Sequence, residues 1–227
     1  MQYNLRYVKP SAHRINMSIF NAKLRNMMDT EIREMPPHLS KRWVKKVTLK
    51  DFNTPEKITV IASLLRKMVH FGCRSNLVRK TAVGILHGYR IPAKEHLGEI
   101  SAIRHWISYN IHYVFDMGEL FQTPVRQLID WKRGVSASDC DCASILFASL
   151  CKSIGYQTGL LLVDSKGMGM INHCMGLVKL PKWDEYYKGK WIGIELTKHN
   201  TNIGWIPPLT TKKIIIKVDG AKLPTVL

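Results

Sequence analysis

The segment from residue 139 to residue 155 constrains the fold most, because it specifies one buried helix from end to end. It begins with Asp139, an acidic side chain of the kind that caps helix N-termini, and ends with Gly155, which favours the left-handed conformation found after helix C-termini. Apolar and small residues recur between them at helical spacing: Ile145, Leu146, Ser149, Leu150 and Ile154. The pattern places Cys140 in the first turn of this helix.

The position of Cys140 suggests a reactive thiol. A thiol in the first helical turn meets unpaired backbone N–H groups and the positive end of the helix dipole, and both stabilise a thiolate. The alternative is a small buried apolar residue, since most cysteines are buried and inert. Cys142 supplies a second thiol two positions later. Because it points well around the helix axis from Cys140, one of the two should face a cleft and the other the core.

Three strands are predicted after this helix. Residues 156–163 and 172–180 have the composition of buried strands, and residues 191–197 form a third apolar run. His173 stands at the start of the second strand, and Glu195 is the acid within the third. The chain order is therefore a cysteine, a histidine and a carboxylate, as a nucleophile, a general base and an orienting acid require. Adjacent strands can pair the last two, because cross-strand neighbours lie about 5 Å apart.

These motifs have counterparts in a known family. The stretches concerned are residues 138–141 (Ser-Asp-Cys-Asp), 172–175 (Asn-His-Cys-Met), 194–197 (Ile-Glu-Leu-Thr), the helix and Tyr-Val-Phe-Asp strand of 100–116, and 121–124 (Phe-Gln-Thr-Pro). Together they resemble the transglutaminase-like superfamily of papain-related folds, most closely its bacteriophage-type members. The family pattern is Gly-Asp-Cys-Asp, a His-Val-Trp-type strand, an Asp-Pro-type strand and a Gln-x-Pro lead-in. The resemblance covers roughly residues 55–207.

The resemblance implies an α+β fold in which N-terminal helices precede a helix packed on a short antiparallel sheet. It implies a phage-encoded cysteine hydrolase acting on amide or peptide bonds of a peptide or protein, without metal or organic cofactor. Cys140 would be the nucleophile, His173 the general base and Glu195 the orienting carboxylate, with backbone N–H groups at the helix start holding the oxyanion. Three residues depart from the family: Ser138 replaces a glycine, Met175 an aromatic residue and Glu195 an aspartate.

Zinc binding is an alternative use of the same segment. Cys140, Cys142, His173 and Cys174 are soft or borderline ligands that zinc accepts. Structural zinc sites usually use Cys-x2–4-Cys pairs, whereas this chain has Cys-x-Cys in a helix and adjacent His-Cys in a strand, where neighbours point to opposite faces. The spacing therefore disfavours zinc, and no metal site is predicted.

Helices are predicted before the cysteine segment. Thr54-Pro55-Glu56 has the features of a helix start, and further helices are expected at about 76–87 and 97–111. Residues expected to face inward are Ile58, Ile61, Ala62, Leu65, Met68, Ile100, Ile103, Ile107 and Ile111. We therefore divide the chain into a basic arm, residues 1–52, and one domain, residues 53–227, whose helical part (53–112) precedes the helix and sheet of 113–227.

The charge distribution defines the arm. The 227 residues carry a formal net charge of +17, and residues 1–50 hold eleven Lys or Arg against three Asp or Glu, a net charge of +8. With three prolines and one expected helix near 19–34, this segment is predicted to order against a partner, either other subunits of an assembly or, non-specifically, nucleic acid. The alternative is a solvated basic surface.

Composition also bears on location. Five cysteines without a disulfide-framework spacing favour a reducing compartment. Neither a signal-peptide pattern nor an 18-residue apolar run is present, so neither secretion nor a membrane partner is expected. We expect a cytoplasmic protein, in the host cytoplasm if phage-encoded, or one associated with the virion.

A structural role is the second functional hypothesis. A virion or assembly protein could retain the transglutaminase-like fold and use the basic arm to bind other subunits or nucleic acid. The departures at Ser138, Met175 and Glu195 favour this role, whereas the complete set of triad residues favours an enzyme.

Overall fold

The computed structural model describes residues 17–34, 44–46, 55–115, 120–184, 186–219 and 225–226. Its helices are α1 (Met17–Glu34), α2 (Pro55–Cys73), α3 (Asn76–Gly88), α4 (His96–Asn110), α5 (Pro124–Lys132) and α6 (Cys140–Ser153). Its strands are β1 (Val44–Lys46), β2 (His112–Tyr113), β3 (Leu120–Gln122), β4 (Ala137–Ser138), β5 (Gln157–Val163), β6 (His173–Lys179), β7 (Trp191–Ile194), β8 (Lys213–Lys217) and β9 (Thr225–Val226). The protein is therefore of the mixed α+β class.

The predicted helices and strands are found close to their expected bounds. All the residues expected to face inward in α2 and α4 are buried. Asp139 caps α6, and Gly155 after it has the left-handed φ of 106°. The third predicted strand is shorter than expected, because β7 ends at Ile194 and leaves Glu195 just beyond it.

The sheet is antiparallel and is covered by α6. Its strand order is β7-β6-β5-β8-β9, so β5, β6 and β7 are neighbours in chain order while β8 returns to the other side of β5. Helix α6 packs on β5 and β6 and also contacts α2, α3, α4 and α5. A separate parallel pair joins β2 to β4, and an antiparallel pair joins β1 to β3. Helix α6 is thus the central element, and its N-terminus is placed by the β2–β4 pair.

Helix α1 lies within the predicted basic arm but packs on the rest of the domain. Leu24 and Met28 are 3% and 0% exposed and belong to the same core as α3 to α6. Phe20 makes an edge contact with Tyr89, with 5.9 Å between ring centroids. This part of the arm is therefore ordered by its own domain. Apart from α1 and the backbone of β1, the predicted arm lies outside the described residues, as do the side chains of Lys41, Arg42, Lys45 and Lys46.

Within the described part of the chain, no helix is both long and apolar enough to cross a membrane.

The packing of α6 on β6 depends on Gly176. A Cβ atom at this position would lie 2.5 Å from Cδ1 of Phe147, a buried side chain of α6. We expect Gly176→Ala to lower the free energy of unfolding by about 2 kcal/mol, because the enclosed ring cannot move away. Urea unfolding of a double-mutant cycle with Phe147→Leu tests this. In the Phe147→Leu background, Gly176→Ala should lower the free energy of unfolding by less than about 1 kcal/mol. The same decrease in both backgrounds would show that Gly176 and Phe147 are not in this contact.

Candidate active site

Cys140 is the first residue of α6, and two features fix this helix start. Strand β2 runs alongside β4, with Tyr113 opposite Ser138 and the Val114 N–H donating to the Ser138 carbonyl at 3.0 Å. The Asp139 carboxylate then accepts the Cys142 N–H at 2.8 Å, which is the capping bond that the sequence predicts. The cysteine therefore lies at a strand-to-helix junction that is held by hydrogen bonds.

The two cysteines of this turn point in different directions. Cys142 is 2% exposed, and its sulfur accepts the Gln122 N–H at 3.2 Å. Gln127 supports this side of the helix, donating to the Cys142 carbonyl at 2.9 Å and accepting from the Ser138 hydroxyl at 3.1 Å. Cys142 thus has a core position held by hydrogen bonds.

The half-buried Cys140 faces the beginning of β6. Its sulfur lies 3.7 Å from Oδ1 of Asp141 and accepts the backbone N–H of Cys174. Because Cys174 directly follows His173, the nucleophile candidate and the general-base candidate meet at the same strand end.

His173 and Glu195 form a hydrogen-bonded pair. The distance between His173 Nε2 and Glu195 Oε2 is 2.8 Å, and the Glu195 side chain is only 1% exposed. The β6–β7 register pairs Gly176 with Ile194, and continuing it places Glu195 and His173 on one face of the sheet. Since the carboxylate engages Nε2, Nδ1 is the ring nitrogen that can accept a proton from a thiol.

Thr197 completes the surroundings of the Glu195 carboxylate. Its backbone N–H and its hydroxyl donate to Oε1 at 2.7 and 2.6 Å. Burial acts to raise the pKa of Glu195, but the hydrogen bond and charge of His173 and the two Thr197 bonds outweigh it and lower the pKa to about 2. Glu195 is therefore ionised at neutral pH, as an orienting carboxylate must be.

Arg104 holds the segment that carries Glu195, and the sequence prediction missed it. This α4 side chain is 4% exposed, and its Nε donates to the Glu195 carbonyl at 2.9 Å. Its Nη2 reaches three further oxygens, those of Lys198 (3.0 Å), His199 (3.2 Å) and the Thr201 hydroxyl (2.7 Å). Ser108, one turn on, donates to the Leu196 carbonyl at 3.0 Å. Their spacing could have revealed them, because Arg104 and Ser108 follow Ile100 at steps of four residues and so lie on the apolar face of the helix.

Tyr113 borders the same site from β2. Its side chain is 52% exposed. Its pKa is raised by burial and by the neighbouring acidic groups Cys140, Asp139, Asp141 and Glu195. Tyr113 is therefore an exposed side chain close to both the thiol and the carboxylate.

The expected activation of the Cys140 thiol by the helix start is wrong for the resting site. Burial and the neighbouring Asp141 carboxylate raise its pKa well above the usual range, and the Cys174 N–H only partly opposes them. The prediction took into account the effect of the helix dipole on the thiol, but the sequence does not show how deeply the sulfur is buried. The thiol is accordingly protonated in the resting site, so a base would have to take its proton before the sulfur could act as a nucleophile.

Removing the Asp141 charge should make this thiol more reactive. We expect Asp141→Asn to lower the Cys140 pKa, so that iodoacetamide alkylates Cys140 about threefold to tenfold faster at pH 7. Rates measured from pH 6 to 10, with the modified cysteine located by mass spectrometry, test this. Asp184→Asn, a carboxylate in another part of the protein, is the matched control. An unchanged pH–rate profile would show that Asp141 does not set the thiol pKa.

The Glu195 carboxylate should also make stability depend on acid pH. Its folded pKa of about 2 lies below the reference value of 4.5. The ionised Glu195 carboxylate therefore contributes its full stabilisation to the folded state above pH 4.5, and this stabilisation is lost as the pH falls towards 2. It amounts to at most about 3 kcal/mol of the free energy of unfolding. Urea unfolding at pH 6 and pH 2.5 should show a larger loss for wild type than for Glu195→Gln. An equal decrease in the free energy of unfolding in both proteins would show that Glu195 is not the group responsible for the acid sensitivity.

The four side chains considered as zinc ligands do not all point to one place. Cys142 turns towards the Gln122 amide, away from the strand end where Cys140 lies. Among the described residues, no group of three or more His, Cys, Asp or Glu side chains is arranged to hold a metal ion.

No family model, curated protein or solved structure matches this chain. The proposal for its function therefore depends on the motifs and on the geometry of the site.

Proposed function

We propose that this protein is a transglutaminase-like cysteine hydrolase acting on amide bonds of peptides or proteins. The observation that carries the proposal is the 2.8 Å bond between His173 and Glu195 at the strand end that also donates to the Cys140 sulfur. The central helix followed by β5, β6 and β7 in consecutive order supports a transglutaminase-like core. Nucleophilic catalysis by a thiol needs a nucleophile, a base and a group that orients the base, and Cys140, His173 and Glu195 have the chemistry for these roles.

The reaction would begin with proton transfer from the Cys140 thiol to Nδ1 of His173. The sulfur attacks the carbonyl carbon of the amide, a C–S bond forms, and the carbonyl oxygen becomes an oxyanion. The backbone N–H of Cys140 in the first turn of α6 would stabilise this charge. The imidazolium then protonates the departing amine as the C–N bond breaks, leaving a thioester.

Water completes the reaction. His173 takes a proton from water, the hydroxide oxygen attacks the thioester carbon, and the C–S bond breaks to release a carboxylic acid. The imidazolium then returns its proton to the departing sulfur, which restores the Cys140 thiol and the neutral histidine. Throughout, Glu195 holds the imidazole so that Nδ1 faces the sulfur. Hydrolysis is the proposed outcome, because water is always available to a thioester.

A peptide library tests this proposal without a known substrate. Wild-type protein should generate new peptide termini detected by mass spectrometry, and Cys140→Ser should not. Cys73→Ser, which alters another half-buried thiol, is the control and should cleave like wild type. Cleavage by the Cys140→Ser protein at the wild-type rate, or a library left intact by wild type, would contradict the proposal.

A structural role in a virion or assembly is the second candidate. The raised pKa of Cys140 favours it, because a protonated thiol beside a carboxylate is a weak nucleophile. Under this proposal residues 1–50 bind other subunits or, non-specifically, nucleic acid.

The test of the structural role must leave α1 intact, because Leu24 and Met28 are part of the core. We would replace the basic residues Lys41, Arg42, Lys45 and Lys46 with glutamine in the full chain. Loss of assembly in light scattering, or of salt-sensitive DNA retention, would support the structural role. Unchanged behaviour in both measurements would contradict it.

A further inference from the structure

A pocket of about 540 Å³ lies at the C-terminal end of α6, the opposite end from Cys140. It is formed by the start of α4, the turn after α6 and the connection that follows β6. Because α6 has 14 residues and a helix rises about 1.5 Å per residue, the pocket is about 20 Å from the candidate active site. The side chains that matter are Lys94, His96, Glu99, Lys179, Lys182 and Trp183.

The lining favours an anion. Three lysines face one carboxylate, Glu99, and that carboxylate is already engaged. The Tyr156 hydroxyl donates to its Oε2 and the Lys94 backbone N–H to its Oε1 at 3.2 Å. Helix α4 begins at the edge of the pocket, so the positive end of its dipole adds to the lysine charges.

The same pocket presents an aromatic surface. Trp183 is 77% exposed, and its ring lies 6.2 Å from the His96 ring centroid. Nδ1 of His96 donates to the Tyr156 hydroxyl at 2.8 Å, since that hydroxyl donates onward to Glu99. Nε2 of His96 is buried and has no hydrogen-bond partner among the described residues. A flat ring could therefore stack on the exposed indole of Trp183.

From these features we infer that the pocket binds a nucleoside phosphate. The lysines Lys94, Lys179 and Lys182 hold the phosphate groups, and Trp183 stacks on the base. The volume lies in the range of small-molecule sites. Lysines alone would hold any small anion; the exposed indole is the feature that selects a ligand carrying both a ring and a phosphate. The inference does not depend on the hydrolase proposal, because it uses none of the residues of that site.

Titration calorimetry with adenosine diphosphate tests this inference, with adenosine and pyrophosphate as separate ligands. At about 50 mM salt, wild type should bind one nucleotide saturably and bind either fragment at least tenfold more weakly. The triple variant Lys94→Gln, Lys179→Gln, Lys182→Gln should weaken nucleotide binding at least tenfold. The matched variant Lys132→Gln, Lys166→Gln, Lys212→Gln removes three lysine charges that do not line the pocket. It should change the affinity for the nucleotide less than twofold.

The aromatic contact has its own control pair. Trp183→Ala should weaken nucleotide binding about fivefold or more, whereas Tyr186→Ala, which removes another exposed ring of the same connection, should not. Circular-dichroism melting verifies that each variant is folded. Cys140→Ser should bind like wild type, so this result is separable from the outcome of the hydrolase test. Absent saturable binding, pyrophosphate binding as tight as that of the nucleotide, or an unaffected lysine triple variant would each overturn the inference.

Discussion

Replacing Glu195 with glutamine should reduce hydrolytic turnover by about 10² to 10⁴-fold while leaving the fold intact. The reason is the pattern of bonds around the carboxylate. Oε1 accepts the Thr197 N–H, a donor that cannot rotate. A glutamine would keep its oxygen on that N–H and turn its NH₂ group to Nε2 of His173. The imidazole would then carry its proton on Nδ1, where it cannot take the proton of the Cys140 thiol.

The measurement is turnover of a peptide identified in the library, as a function of pH. Glu195→Asp is the informative control, because it keeps a carboxylate and shortens its reach by one methylene, so its loss should be smaller than that of glutamine. Alkylation of Cys140 by iodoacetamide gives a readout that needs no substrate, and both Glu195→Gln and His173→Ala should alter its pH profile. Turnover within about threefold of wild type in Glu195→Gln would remove Glu195 from the mechanism.

Local sequence signals explain why much of the secondary structure could be predicted. Helix α6 has a capping Asp139 and a terminal Gly155, and α2 and α4 have apolar residues at helical spacing, so each was recognisable alone. Strands β5 and β6 were predicted from short apolar runs. Strand β8 was not predicted: it pairs with β5 across about 50 residues of chain, and no local pattern specifies that partner.

In the candidate site, too, the residues could be predicted from local motifs, but their three-dimensional environment could not. The motifs singled out Cys140, His173 and Glu195, and the structure joins the last two directly and places the first at the same strand end. The thiol pKa could not be predicted, because it depends on how deeply the sulfur is enclosed and on the direction of Asp141. Membership of the transglutaminase-like superfamily stays a prediction.

The basic arm illustrates how composition can mislead. The arm is defined by the net charge of residues 1–50 as a whole, but the helix within it, residues 17–34, has three Lys or Arg and three Asp or Glu and so carries no net charge. Its apolar face is short, with Leu24 and Met28 one turn apart, yet both are buried in the core. The net charge of a segment therefore does not show whether a helix within it has an apolar face that packs on the core.

Arg104→Ala should lower the free energy of unfolding by about 3 to 4 kcal/mol, because four oxygen acceptors of the segment 195–201 lose a charged, buried donor. For a chain of this length that corresponds to a fall in Tm of roughly 10 °C. Thermal melting followed by circular dichroism measures it. Arg133→Ala, at an exposed position after α5, is the matched control and should shift Tm by less than about 2 °C.

Arg104→Lys separates the charge from the geometry. Lysine keeps the positive charge but lacks the planar fork that reaches the Glu195 carbonyl and the 198–201 turn together, so it should recover only part of the lost stability. Because Arg104 holds the whole segment 195–201, which carries Glu195, both variants should also lower turnover at a temperature where they remain folded. The pH profile of Cys140 alkylation should move towards that of Glu195→Gln. A Tm for Arg104→Ala within about 2 °C of wild type would show that α4 does not hold the carboxylate segment in place.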